Sequence, residues 1–548
     1  MRLRSLAGAL ISMVLAVGSA PESQAKPPAL TGLFPSGAAR GQSLSVAMSG
    51  TFDNWPVDVR VEGAGLSVKP DEKKGTLLIE VAADARPGVH WIGVHDKEGA
   101  TSLRPFIVGS LPELVEAEPN DDPRKPQTID APRVVINGRL AKSGDVDGFA
   151  VTLESGQILA ADLEANRNLG SPMDAVLQVV STDGFVLEQN DDAVGRDPRI
   201  LFHAPAAGTY VVRLFAFPAQ PDSSIRFSGS DAYVYRLTLT TGGFIEHAFP
   251  LAVAPESSAD IRAFGPNIAE ADAVLDVPAD DPIGPPTLTS ASLAGSAEVR
   301  RVDGPAAVEV EPNDQDNPQE IPARGWVSGR IDPPGDRDAY RIALKKGDKR
   351  VIQAESRALG LPLDAVIKVL GADGKTLAEN DDARRTARDP SLTFTAPADG
   401  EFRIVVADLY GRGSPNHAYL LGVTVPEPDF AVSLAADVFT LTPGVDPIKI
   451  VVAIDRKNGH KGEIEVTADD LPEGVSATKA VSKPEGDSAK SVTIELRAEG
   501  SAAKSGPFRV IARPVDGKTP ERAAPAKIAG FEVETQRPWL AVLPKPGS

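Results

Sequence analysis

The sequence predicts an all-β protein built of tandem β-sandwich modules. Short alternating apolar stretches recur between turn residues, and Gly and Pro are abundant, at 49 and 48 residues. No long stretch keeps a helical period beyond the N-terminal segment. Strand-like blocks also return in the same order further along the chain, which marks internal repetition.

A chain of 548 residues exceeds what one hydrophobic core serves, so several domains are expected. Residues 1–25 read as a signal peptide, with Arg2 and Arg4 as a basic start and an apolar run over 6–17. Small residues Gly18, Ser19 and Ala20 offer a cleavage site, and 23–25 a second one. No later segment approaches the ~20 apolar residues of a membrane-spanning helix. The expected product is therefore exported, secreted or at the cell surface or periplasm, with no transmembrane segment after signal removal.

There is no cysteine, so neither disulfides nor thiolate metal sites hold this exported chain together. The formal charge of −19, from 76 acids against 57 bases, argues against nucleic acid, whose phosphates need basic patches. An acidic surface suits hard cations, although such charge mostly serves solubility.

Half-buried strands are expected at 43–48 (SLSVAM), 133–140 (RVVINGRL), 209–215 (TYVVRLF), 448–454 (IKIVVAI) and 491–496 (SVTIEL). GDVDGFAVTL (144–153) aligns with GDRDAYRIAL (335–344), and DAVLQVVSTDGFVLEQNDD (174–192) with DAVIKVLGADGKTLAENDD (364–382). DPRILFHAPAAGTYVVRL (197–214) aligns with DPSLTFTAPADGEFRIVV (389–406) at a nearly constant offset, so 112–243 and 307–426 are read as two copies of one sandwich. The first copy carries extra residues near 218–231, before Tyr235, which matches Tyr419. A fainter echo, with Phe34-Pro35 matching Phe249-Pro250, places an Ig/TIG-like sandwich at 28–110 and a shortened one at 244–305. An Ig-like sandwich is expected over 428–536, with LPEGV (471–475) as a turn, and 537–548 is expected as a loose tail on which Trp539 can dock.

The candidate chemistry lies in VEAEPNDDPRKPQ (115–127), which returns as VEVEPNDQDNPQ (308–319). In an extended strand, side chains at i and i+2 share a face, so Glu116 with Glu118, and Asp145 with Asp147, are expected to project together. Pro119 stops the strand and Asn120-Asp121 turn the chain. The second copy repeats the pattern with Glu309, Glu311, Asn313, Asp314, Asp336 and Asp338. Such groups of carboxylates repel one another unless neutralised. Calcium accepts six to eight oxygens and suits carboxylates with an Asn carbonyl, whereas zinc and copper favour His or Cys. The same residues also suit plain turns without an ion, and spacing alone leaves both readings open.

These motifs together resemble the bacterial pre-peptidase C-terminal (PPC) domain family, related to the collagen-binding domains of clostridial collagenases. The resemblance covers a little under half of the chain. It implies a jelly-roll-like sandwich and a paired Ca2+ site in each copy. The implied ligands are Glu116, Glu118, Asn120, Asp121, Asp145 and Asp147, and then Glu309, Glu311, Asn313, Asp314, Asp336 and Asp338. The aromatic binding face of those relatives has no match here, so collagen recognition is not carried over.

Asn190-Asp191-Asp192 with Asp197, and Asn380-Asp381-Asp382 with Asp389, are read as hairpin turns, with an extra cation site as the minority alternative. No catalytic set is expected. The six histidines are scattered, none lies in HExxH or beside a nucleophile elbow, and His203 is replaced by Thr395 in the second copy. Trp91 is expected in a core, and Trp55, in FDNWP, as an exposed platform for a glycan. The sequence thus points to a non-enzymatic exported protein binding an extracellular protein or polysaccharide. The alternatives are an accessory component of a secreted proteolytic system and a structural spacer.

Overall fold

The computed structural model describes residues 26–545, apart from 221–225, 255–259, 276, 278–282, 284–285, 385–387, 499–502 and 518. The signal-peptide reading of 1–25 lies outside the described residues, as does most of the Pro/Asp-rich run near 278–286. The described chain is all-β, with short helical turns such as Asn166–Leu169. Among the described residues no helix is long and apolar enough to cross a membrane.

The first sandwich stacks the sheet Ala29–Phe34, Ser43–Thr51, Thr76–Val81, Leu66–Pro70 on the sheet Gly37–Ala39, Arg104–Gly109, Gly88–Asp96, Asp58–Glu62. The alternating side chains Val46, Ile79, Ile92 and Phe106 fill the space between them.

The second sandwich has two five-stranded sheets. One runs Glu113–Val115, Arg133–Arg139, Val234–Thr240, Ile158–Glu164, Arg199–His203, and the other Gln127–Thr128, Asp147–Leu153, Gly208–Pro218, Met173–Ser181, Val186–Asn190. The stretch from Ala306–Val308 to Ala418–Thr424 repeats both sheets in the same strand order. In each unit the entering strand pairs parallel with its neighbour (Val115 beside Asn137, Val308 beside Ser328). The chain then crosses to the opposite sheet, where Gln127 and Gln319 start a second parallel pair beside Phe149 and Tyr340. The EPND segment is the crossing, and it closes one end of the sandwich.

Between these units, 244–305 forms only two- and three-stranded pieces around Ile245, Ile261, Leu288 and Val299. The last module gathers Phe430, Ile450, Val466, Ile494 and Val510. The tail is not loose: Trp539–Val542 is a strand pairing parallel with Val438–Leu441, and Leu540 is fully buried. Backbone pairing and an apolar side chain facing the core explain why a terminal segment is held there.

The modules do not lie as a simple file. Ser102 Oγ donates to Asp437 Oδ2 at 2.7 Å, Arg60 lies over the Trp539 ring, and Trp91 meets Phe531 edge-on at 5.1 Å. The first sandwich therefore packs against the last.

Candidate metal centres

Register sets the first cluster. Because Val115 pairs beside Asn137, the next residue, Glu116, donates its N–H to Asn137 O and stands beside Gly138 and Arg139. Its carboxylate accepts from the Arg139 N–H at 2.7 Å through Oε1 and lies 2.8 Å from the Tyr235 hydroxyl through Oε2. The same hydroxyl lies 2.6 Å from Asp147 Oδ2. The one phenol thus bridges the two carboxyl groups. Burial, followed by the charge of Glu116, pushes the Asp147 carboxyl up to about 9, and burial also raises Glu116.

The strand ends at Val115, and Glu116 and Glu118 take different partners in the first copy. Glu116 turns to Tyr235, whereas Glu118 brings a carboxylate oxygen within 4.8 Å of those of Asp121 and Asp145. Asp145 and Asp147 separate likewise: both are fully buried, but Asp145 joins that group and Asp147 faces Tyr235. Asp145 Oδ2 accepts the Ala141 N–H at 2.5 Å, and its Oδ1 has no hydrogen-bond partner. The Lys142 ammonium reaches that Oδ1 at 3.5 Å and Asp121 Oδ2 at 3.6 Å. Glu118 Oε2 accepts the N–H of Asn120, whose own side chain is fully buried with both polar atoms unpartnered.

The second cluster gathers a different set. Glu309, Glu311 and Asp338 bring carboxylate oxygens within 4.8 Å of one another. Glu309 Oε2 accepts the Arg330 N–H at 2.7 Å, and Glu311 Oε2 that of Asn313 at 3.0 Å. Asn313 is again buried with both side-chain atoms unpartnered, as is Oδ1 of the buried Asp338. Burial pushes Asp338 up to about 9 and Glu309 up to about 7. Asp314 and Asp336 stand outside this group, with carboxylates that accept backbone N–H groups of their own loops: Asp316 and Asn317 for one, Asp332 and Arg337 for the other. Short Asx-type bonds close those turns and hold the oxygens there.

Several residues of the site escaped sequence reasoning. The Tyr235 and Tyr419 rings lie over Gly138 and Gly329, where an added Cβ would meet ring atoms at 2.1 and 2.5 Å. The signal was the pairing of Asn-Gly-Arg and Ser-Gly-Arg with a tyrosine at matched positions. Tyr340, which replaces Phe149, places its hydroxyl 2.6 Å from that of Tyr419, and Tyr419 donates to Asp338.

In the Asn/Asp loops, side-chain bonds close the turns: Asn190 Oδ1 and Asn380 Oδ1 accept the N–H of Arg199 and Ser391. Asp197 accepts three N–H groups from Ala165, Asn166 and Arg167 at the start of the helical turn, and Asp389 accepts those of Arg357 and Ala358. Trp55 is no open platform: it packs on Phe52 in the first core, and its Nε1–H donates to Asp71 O.

Fold and clusters define a multi-sandwich protein with two acidic centres lined by unpartnered buried oxygens. No family model matches the chain. The "Probable subtilase-type serine protease" of Deinococcus radiodurans is 34% identical over 98 residues, 18% of this chain and 14% of that protein. The chain thus spans about a seventh of that relative's length. Among solved structures, the pre-peptidase C-terminal domain of a Bacillus anthracis collagenase is 15% identical, covers 19% of this chain and 93% of its own, and has a TM-score of 0.16. Sidekick-1 immunoglobulin domains 1–4 are 9% identical, with 92% and 95% coverage and a TM-score of 0.19.

Proposed function

We propose that this is an exported, non-catalytic protein whose two acidic centres bind calcium. Bound calcium stiffens the junction entering each five-stranded sandwich pair, and the stiffened array presents a surface to an extracellular protein or polysaccharide. The supporting observation is the set of buried atoms with no hydrogen-bond partner beside each three-carboxylate group: both side-chain polar atoms of Asn120 and of Asn313, and Oδ1 of Asp338. Buried polar atoms are nearly always satisfied, so such groups call for a missing partner, and carboxylates with an amide carbonyl match a hard cation's preference.

Glu118, Asp121 and Asp145 would hold the ion in the first centre, and Glu309, Glu311 and Asp338 in the second, with Asn120 and Asn313 adjacent. The ion would supply positive charge that neutralises their repulsion. The chain's part is to tie the EPND crossing to the Gly-Asp loop across the end of the sandwich.

Melting and limited proteolysis in calcium and in chelator test the reading. Calcium is expected to raise the melting temperature, and Glu118→Ala with Glu311→Ala to abolish that rise. Identical curves in both conditions would overturn it. A second reading, an accessory part of a secreted proteolytic system, draws on the overlap with the subtilase-type protease. Saturable binding on glycan or matrix-protein arrays without casein cleavage favours the first reading, and casein cleavage the second.

A further inference from the structure

The two centres are built from matching segments, yet their charges differ. In the first, the Lys142 ammonium stands between two of the three gathered carboxylates, 3.6 Å from Asp121 and 3.5 Å from Asp145. The equivalent position in the second copy is Pro333, which offers no charge. Arg330 is the cation beside Glu309, but its guanidinium lies over the Phe249 and Phe264 rings. The tyrosines differ too. Tyr235 bridges Glu116 and Asp147 beside the first group, whereas Tyr419 receives the Tyr340 hydroxyl, and Glu309 is gathered with Glu311 and Asp338.

We infer that Lys142 is a resident counter-cation that sets the calcium affinity of the first centre, so that the second centre fills first. The inference rests on the calcium reading. An ion entering the first centre must displace an ammonium from two carboxylates and then tolerate its charge nearby. An ion entering the second meets three gathered carboxyl groups with no lysine ammonium between them. The Lys142 side chain is two-thirds exposed, so it can swing away into water, and its effect is a graded loss of affinity rather than a block.

Calorimetric calcium titration of the full mature chain tests this, with Glu118→Gln and Glu311→Gln assigning heats to each centre. Wild type is expected to show a tighter class lost in Glu311→Gln and a weaker class lost in Glu118→Gln. Lys142→Ala should tighten the weaker class alone by roughly three- to tenfold, the scale of removing one exposed ammonium beside two carboxylates. Lys142→Arg should leave it weak. Equal classes in wild type, or a weaker class that Lys142→Ala does not move, would overturn the inference while leaving calcium binding intact. Absence of binding heat in every variant would instead overturn the calcium reading, and this inference with it.

Discussion

The Arg330 guanidinium lies 3.7 Å from the ring centroid of Phe249, while the backbone N–H of the same arginine donates to Glu309. Arg139 repeats the arrangement, 4.8 Å from the Phe34 centroid with its N–H on Glu116. Each arginine ends a strand of a five-stranded sheet, and each phenylalanine belongs to the module before it. A single residue therefore joins each acidic centre to the preceding module.

Truncating the ring should loosen that joint. Phe249 is buried and meets Leu251, Leu420 and Trp326, whereas Phe34 is only partly buried. Phe249→Ala is expected to cost about 3 kcal/mol and Phe34→Ala less, from lost packing plus the cation–π contact. Small-angle scattering and proteolysis near 303–306 read the loosening, and equal effects of the two variants would contradict this account.

Removing the bridging phenol should expose the repulsion it relieves. Tyr235→Phe leaves Glu116 and Asp147 close together without their shared hydroxyl, at a cost of about 1–3 kcal/mol. Chemical denaturation of the variant beside the wild type reads the loss. Gly138→Ala is expected to be worse still, because its Cβ would displace the ring.

The contact between first and last modules rests on buried charge. Arg60 and Asp437 are both buried, and burial draws Arg60 down to about 10 despite the nearby carboxylate. Asp437→Ala strands that guanidinium and removes the acceptor of Ser102, so a loss of about 3 kcal/mol and an increased radius of gyration are expected. The pair Arg60→Met with Asp437→Leu should recover much of the loss, as measured by melting and scattering.

Acid should weaken the second joint through His247. Burial, reinforced by Arg330, lowers its imidazole to about 4, and its ring stacks on Phe264 at 5.3 Å. The unfolded chain, with an ordinary value near 6.5, binds the proton first, so stability is complete above about pH 6.5 and falls as pH drops toward 4, by up to about 3 kcal/mol. His247→Phe should flatten the pH dependence of unfolding in that window.

The sequence by itself determined the all-β class and the pairing of the EPND segments with the Gly-Asp loops. Period-two alternation and repeated motifs are local properties, written in the order of residues. It did not show that Glu116 meets Tyr235 while Glu118 meets Asp121 and Asp145, because those partners depend on register with Arg133–Arg139 and Val234–Thr240. The tertiary structure alone decided that Tyr235 takes two of the acids, that Lys142 faces two others, and that Trp539 and Asp437 close on the first module. Apart from Lys142 with Asp145, those contacts join residues tens to hundreds of positions apart. A side chain's partner at that distance is chosen by register and packing, which no local pattern records.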